Sequence, residues 1–126
     1  MMKKIIQTEH APAPIGPYSQ AVFANGMLYL SGQIAIDPVS GKIVENDIDA
    51  ETHRVMMNLQ AVLAAVDMNF ENVVKSSIFL KDMNDFPLVN SVYSSYFSKD
   101  FPARETVQVS CLPKNVNVEI SMIASV

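Results

Sequence analysis

The chain has little with which to hold a metal. Its imidazoles are His10 and His53 and its one thiol is Cys111. None of them stands at a ligand spacing, so a zinc centre within one chain is not expected. A single cysteine also excludes an internal disulfide. The four glycines, Gly16, Gly26, Gly32 and Gly41, are isolated from one another. They build no phosphate-cradling loop and no nucleotide or pyridoxal-phosphate fingerprint, so no cofactor is expected. Serines are plentiful, yet none has a nucleophile-elbow context or a partner histidine. Basic clusters are missing beyond Lys3-Lys4 and the net charge is −4, which counts against nucleic acid as a partner. No apolar run approaches a membrane span. The opening Met1-Met2-Lys3-Lys4-Ile5-Ile6 lacks both the long apolar run and the cleavage site of a secretion signal, so a cytoplasmic location is expected. Repeats, linkers and low-complexity runs are also missing, and residues 1–126 are expected to form one domain.

What is present is clear patterning. Apolar residues make up 49% of the 126, which argues for a buried core and against disorder. Lys4–Thr8 is predicted as a short edge strand. Three prolines and a glycine between His10 and Pro17 make a loop. Tyr18–Ala24 and Met27–Gln33 are strands joined by Asn25-Gly26, the pair that favours a type I′ hairpin turn. That turn sets Phe23 opposite Leu28 and Ala21 opposite Leu30. It also brings Tyr18 to the same end of the hairpin as Ser31-Gly32. Asp37-Pro38-Val39-Ser40-Gly41 reads as a turn. A helix with Asp49 as its cap carries Val55, Met56, Leu59, Val62, Leu63 and Val66 at helical spacing and ends near 67–69. His53 lies off that stripe and is expected to be exposed. A strand over Val73–Lys81 follows, then a second helix with Asn84 as cap and Pro87 in its first turn. Phe86, Val89, Tyr93, Tyr96 and Phe97 form its apolar face, with Asn90 beside it.

The last third reads as a strand pair. Val107, Val109 and Cys111 alternate with Arg104, Thr106, Gln108 and Ser110. After a turn, Val116, Val118 and Ile120 alternate with Asn117, Glu119 and Ser121. A hairpin consistent with both patterns sets Gln108 opposite Glu119 and Ser110 opposite Asn117, turns at Pro113-Lys114, and buries Cys111 in the core. Arg104 and Glu119 then share a polar face without opposing each other. Arg104 offers a planar fork for a carboxylate, and a structural ion pair with Glu105 is the plainer alternative. Glu119 is either a proton handler or a solvated strand residue.

The element order is strand, hairpin, helix, strand, helix, hairpin. It predicts an α+β domain with two helices on one face of a six-stranded mixed sheet. Ile78-Phe79-Leu80 and Met27-Leu28-Tyr29-Leu30 are apolar on both strand faces. Two helices cover only one face, so a second subunit is expected on the other.

Several blocks, taken together and in order, resemble the Rid (YjgF-like) family. They are Ile15-Gly16-Pro17-Tyr18-Ser19-Gln20-Ala21, Leu30-Ser31-Gly32-Gln33, Asn84-Asp85-Phe86 with Val89-Asn90 and Tyr93, Phe101-Pro102-Ala103-Arg104, and Leu112-Pro113-Lys114 with Val116 and Val118-Glu119-Ile120. The resemblance spans nearly the whole chain. It implies a chorismate-mutase-like homotrimer with clefts between subunits, and cofactor-free hydrolysis of 2-imino acids and their enamine tautomers to 2-oxo acids and ammonia. Arg104 would hold the substrate carboxylate and Glu119 the water. Tyr18, Ser31, Gly32, Asn90 and Thr106 would line the cleft, Thr106 standing where many members carry cysteine. The same clefts would also suit a regulatory protein that binds 2-oxo acids without turnover. Some members are described as ribonucleases, a role that the acidic balance of this chain disfavours.

Overall fold

The computed structural model describes residues 2–45 and 47–126. Six strands, β1 (Lys4–Ile6), β2 (Ala21–Ala24), β3 (Met27–Gln33), β4 (Val73–Leu80), β5 (Ala103–Gln108) and β6 (Val118–Ser125), form one sheet in the order β1-β2-β3-β6-β4-β5. Helices α1 (Ile48–Ala64) and α2 (Phe86–Ser94) pack on one face of it. The mixed α+β architecture is therefore as expected.

The β2–β3 hairpin forms for the local reason read from its turn. Asn25 and Gly26 both take positive φ, 52° and 76°, as a type I′ turn requires. Phe23 pairs with Leu28 and Ala21 with Leu30. The stripe of α1 is buried as predicted: Val55, Met56, Leu59, Val62 and Leu63 are fully enclosed and Val66 packs at the margin. Burial of those five side chains contributes on the order of 10 kcal/mol before conformational entropy is subtracted. No helix among the described residues is long and apolar enough to cross a membrane.

Both helix caps differ from expectation. Asp47, in extended backbone, caps α1 by accepting from the Ala50 amide at 2.7 Å, and Asp49 lies inside the first turn. Asn84 sits within a short 3₁₀ turn, Met83–Asp85, whose cap is Asp82. That turn delays α2 to Phe86, with Pro87 in its first turn. Tyr96 and Phe97 fall beyond the helix yet still pack, stacking around Phe70 with ring centroids 5.4 Å apart.

The terminal hairpin does not form. β5 pairs parallel with β4, Arg104 beside Ser76 and Thr106 beside Ile78, because α2 carries the chain back to the same end of the sheet. β6 instead inserts antiparallel between β3 and β4. Composition explains the choice. β6 buries Val118, Ile120, Met122 and Ala124 on one side, which suits a central strand. β5, with Arg104, Glu105, Thr106 and Gln108, suits an edge. The connection turns through Pro113–Asn115, where Lys114 and Asn115 both have positive φ. β5 ends at Gln108, so its alternation never reaches Cys111, which is exposed rather than in the core.

The face opposite the helices carries Ile5, Tyr29, Val74 and Val107, each about 40–50% exposed. It is the apolar face that the sequence leaves without a cover.

Candidate functional site

β5 turns Arg104 toward the helices. Its Nη1 donates to Asn90 Oδ1 at 2.7 Å. Its Cζ lies 5.1 Å from the centre of the Tyr93 ring and 5.6 Å from that of Phe86, so the cation rests against two aromatic walls. Tyr93 is fixed in turn, its hydroxyl donating to Ser76 Oγ at 2.9 Å in the buried layer. Burial pushes the Tyr93 phenol up, against smaller opposing effects of Ser76 and Arg104. An open cleft of about 420 Å³ lies here, lined by Asn90, Tyr93, Ser94, Phe101, Pro102 and Arg104. Thr106, two residues along the same side of β5, has a buried Oγ1 with no hydrogen-bond partner among the described residues.

The plainer alternative for Arg104 does not hold. Glu105 points to the other face, accepts from Ser77 Oγ, and pairs with Lys75 Nζ at 2.9 Å. The Ser77 hydrogen bond, and then Lys75, holds its carboxyl below the usual range. Arg104 has no carboxylate partner among the described residues.

Glu119 lies elsewhere. On β6 it sits beside Phe79 of β4, on the face away from the helices, and not on a polar face shared with Arg104. Its carboxyl abuts Gly32, where the β3–β6 ladder breaks between Leu30 and Gln33. A Cβ on Gly32 would stand 2.5 Å from Glu119 Oε2, so only glycine leaves the carboxylate its place. The carboxyl accepts no hydrogen bond from the described residues, and burial pushes its pKa up. It lines a pocket of about 40 Å³ with Tyr18, Pro12, Ile15, Gly32 and Ile34 among its walls. That is room for about one or two waters.

Tyr18 and Gly32 thus meet at one end of the β2–β3 hairpin, as its turn predicts. Tyr18 is 46% exposed, and its hydroxyl oxygen accepts from the Ile15 amide at 3.2 Å. Ser31 is not one of the walls of this pocket; its hydroxyl donates to the Ser19 carbonyl at 2.6 Å. Asn90 directs its carbonyl oxygen to Arg104. The candidate residues therefore fall into two half-sites, Arg104–Asn90–Thr106 and Glu119–Tyr18–Gly32, on opposite faces of one chain. Sequence reasoning missed Phe86, Tyr93 and Ser76 as supports of the guanidinium, though the apolar spacing of α2 already put the two rings on its inner face. It also missed Gln20 as a wall of the second pocket. The signal there was a polar side chain set inside an apolar strand. Among the described residues no cluster of His, Cys, Asp and Glu has the makings of a metal site.

A profile of the family described as Endoribonuclease L-PSP matches residues 8–126. A Yersinia pestis protein described as of the Rid family superposes with a TM-score of 0.96 at 48% identity, covering 99% of this chain and all of that one. The chain belongs to the Rid (YjgF-like) family. Another Rid relative, 47% identical over 98% of this chain and 90% of its own, is the 2-iminobutanoate/2-iminopropanoate deaminase of Bos taurus. A Lactococcus lactis protein named as a regulator, AldR, is 49% identical over 98% of both chains. Rid membership thus covers proteins named for catalysis and proteins named for regulation.

Proposed function

We propose that this Rid protein hydrolyses 2-imino acids and their enamine tautomers, such as 2-iminobutanoate and 2-iminopropanoate, to 2-oxo acids and ammonia, without metal or cofactor, in the cytoplasm. The observation that carries the reading is the pair of complementary half-sites. One presents an unpaired guanidinium in an aromatic-walled cleft. The other presents a carboxyl with a raised pKa in a pocket the size of a water. Neither is complete alone, and the apolar face to which Glu119 belongs lacks a cover. A homotrimer that sets the Arg104 cleft of one copy against the Glu119 pocket of the next completes both at once.

In that composite cleft Arg104 binds the substrate carboxylate through its fork, with Asn90 and the two rings holding the plane. The Thr106 hydroxyl offers a further donor. Glu119 takes a proton from a water as its oxygen attacks the imine carbon, and returns that proton to nitrogen. A carboxyl whose pKa burial raises is suited to both steps. Glu119 then takes the hydroxyl proton of the carbinolamine and passes it to the amino nitrogen, the C–N bond breaks, ammonia leaves and the carbonyl forms. The uncatalysed reaction is already quick, so positioning supplies most of what is needed.

The test couples a threonine dehydratase to semicarbazide, which traps the imine in competition with hydrolysis. Wild type diverts product from semicarbazone to free 2-oxobutanoate. Arg104→Ala loses about 1.5–3 kcal/mol of carboxylate binding, roughly a 10- to 100-fold fall in turnover at low substrate, with its unfolding transition kept. Full activity in the variant would sink the reading. Binding of 2-oxobutanoate by wild type without turnover would move the function to regulation, the role that the name of the lactococcal relative carries.

A further inference from the structure

The buried polar side chains of the described residues are Gln20, Gln33, Glu51, Thr52, Asn58 and Ser76. Three of them brace the backbone around the Glu119 pocket. Gln20 Nε2 donates to the Thr8, Ala11 and Pro12 carbonyls, holding the proline loop. Asn58 Nδ2 donates to the carbonyls of Ile34 and Ile36, two wall residues. Glu51 reaches from the first turn of α1 to the start of β6. Its Oε2 accepts from the Asn117 amide at 2.8 Å and the Val118 amide at 3.3 Å, and its Oε1 accepts from Asn117 Nδ2 at 2.8 Å.

We infer that Glu51 is a positioning residue for Glu119, a clamp that fixes the height at which the Glu119 carboxyl enters its pocket. The peptide it grips immediately precedes Glu119. The other edge of that peptide is held too, the Asn117 carbonyl accepting from the Lys81 amide at 3.0 Å. Just before it, Lys114 and Asn115 take φ of 55° and 56°. Two successive non-glycine residues in the left-handed region make a costly entry that needs an anchor. On the other side of β6 the ladder to β3 is interrupted between Leu30 and Gln33, so β3 gives Glu119 no regular support. The clamp and the Phe79 pairing set its place. Burying a carboxylate costs folding free energy unless its oxygens are satisfied. Glu51 uses both oxygens on this one joint. Tyr18 is the other titratable side chain lining the pocket.

The kinetic arm of the test rests on the imine-hydrolysis reading; the spectroscopic arm does not. Glu51→Gln keeps one acceptor oxygen but turns an amide NH₂ toward donors, and Asn117→Ala is the milder variant should the first fail to fold. Thr52→Val is the control. Thr52 is equally buried on α1, but its hydroxyl donates within the helix to the Ile48 carbonyl. The titration of Glu119 is followed by ¹³C NMR of its carboxyl carbon. In Glu51→Gln and Asn117→Ala the midpoint falls toward the ordinary carboxylate value as the side chain swings to water, while in Thr52→Val it stays. On imine substrate the two clamp variants lose roughly 10- to 100-fold in kcat with KM little changed. An unmoved Glu119 midpoint in either clamp variant, or a kcat loss that Thr52→Val matches at equal loss of Tm, overturns the clamp. Absence of turnover in wild type would count against the reaction, and the midpoint would still decide the clamp.

Discussion

Gly32 and Glu119 share one small volume, and each fixes what the other is allowed to be. A methyl group on Gly32 meets the Glu119 carboxyl at 2.5 Å, closer than real contacts permit. Gly32→Ala is expected to fold, because Gly32 does not need positive φ, but to displace the carboxyl. Hydrolysis should fall about tenfold or more, since a displacement of this size spoils attack geometry, while the urea midpoint moves little. Steady-state kinetics and denaturation on the same sample check it. Glu119 also makes stability depend on pH. Its folded pKa is raised by burial, so around that range the folded state binds more protons than the unfolded state. The contribution is therefore fully present below the unfolded pKa and is lost as pH rises through the folded pKa. Glu119→Gln removes that loss. The Tm of the variant relative to wild type should rise from acid toward neutral pH and then level off. A pH-independent difference would contradict the burial of Glu119.

At the scale of elements, α1 depends on Asp47. Asp47→Ala should cost about 0.5–2 kcal/mol of stability through loss of the Ala50 hydrogen bond, and Asp49→Ala a few tenths through the helix dipole alone. Urea unfolding of the two variants separates them, and an equal cost would reinstate Asp49 as the cap. The contrast shows which parts of the fold the sequence made legible. The Asn25-Gly26 hairpin and the stripe of α1 were readable because every residue that decides them lies within a few positions. The partners of β5 and β6 were not. Alternation specifies which residues share a face, but any strand of matching period satisfies it, and the true partners are decided by competition across the whole sheet. The candidate site fared likewise. Arg104 and Glu119 stood out as residue types in a recognisable stretch. Their placement on opposite faces did not, because it follows from β5 lying beside β4 and β6 beside β3.

The uncovered sheet face and the two half-sites make one prediction for the assembled molecule. Arg104→Ala and Glu119→Gln are each expected to lose most of their activity at low substrate, and to regain part of it when unfolded together and refolded as mixed oligomers. With random mixing of equal amounts, about a quarter of the clefts of a ring receive arginine from one copy and glutamate from another, both intact. Recovery near that fraction, together with sedimentation at three times 13.9 kDa, supports a cleft between copies. No recovery from a mixture shown to be hetero-oligomeric would place both residues of each working site in one chain. Charge on the open face, as in Tyr29→Glu, should shift the sedimentation coefficient to that of one copy and abolish hydrolysis.

The insertion of β6 between β3 and β4 also carries a consequence for synthesis. The strand at the heart of the sheet is the last of the six to leave the ribosome. Until it emerges, β1–β3 and β4–β5 are two separate ribbons, each showing an unpaired inner edge to solvent. Nascent chains are thus exposed to edge-to-edge association for nearly the whole of translation. A stop a few codons before Val118 would leave a three-stranded ribbon and a parallel strand pair with no strand to join them.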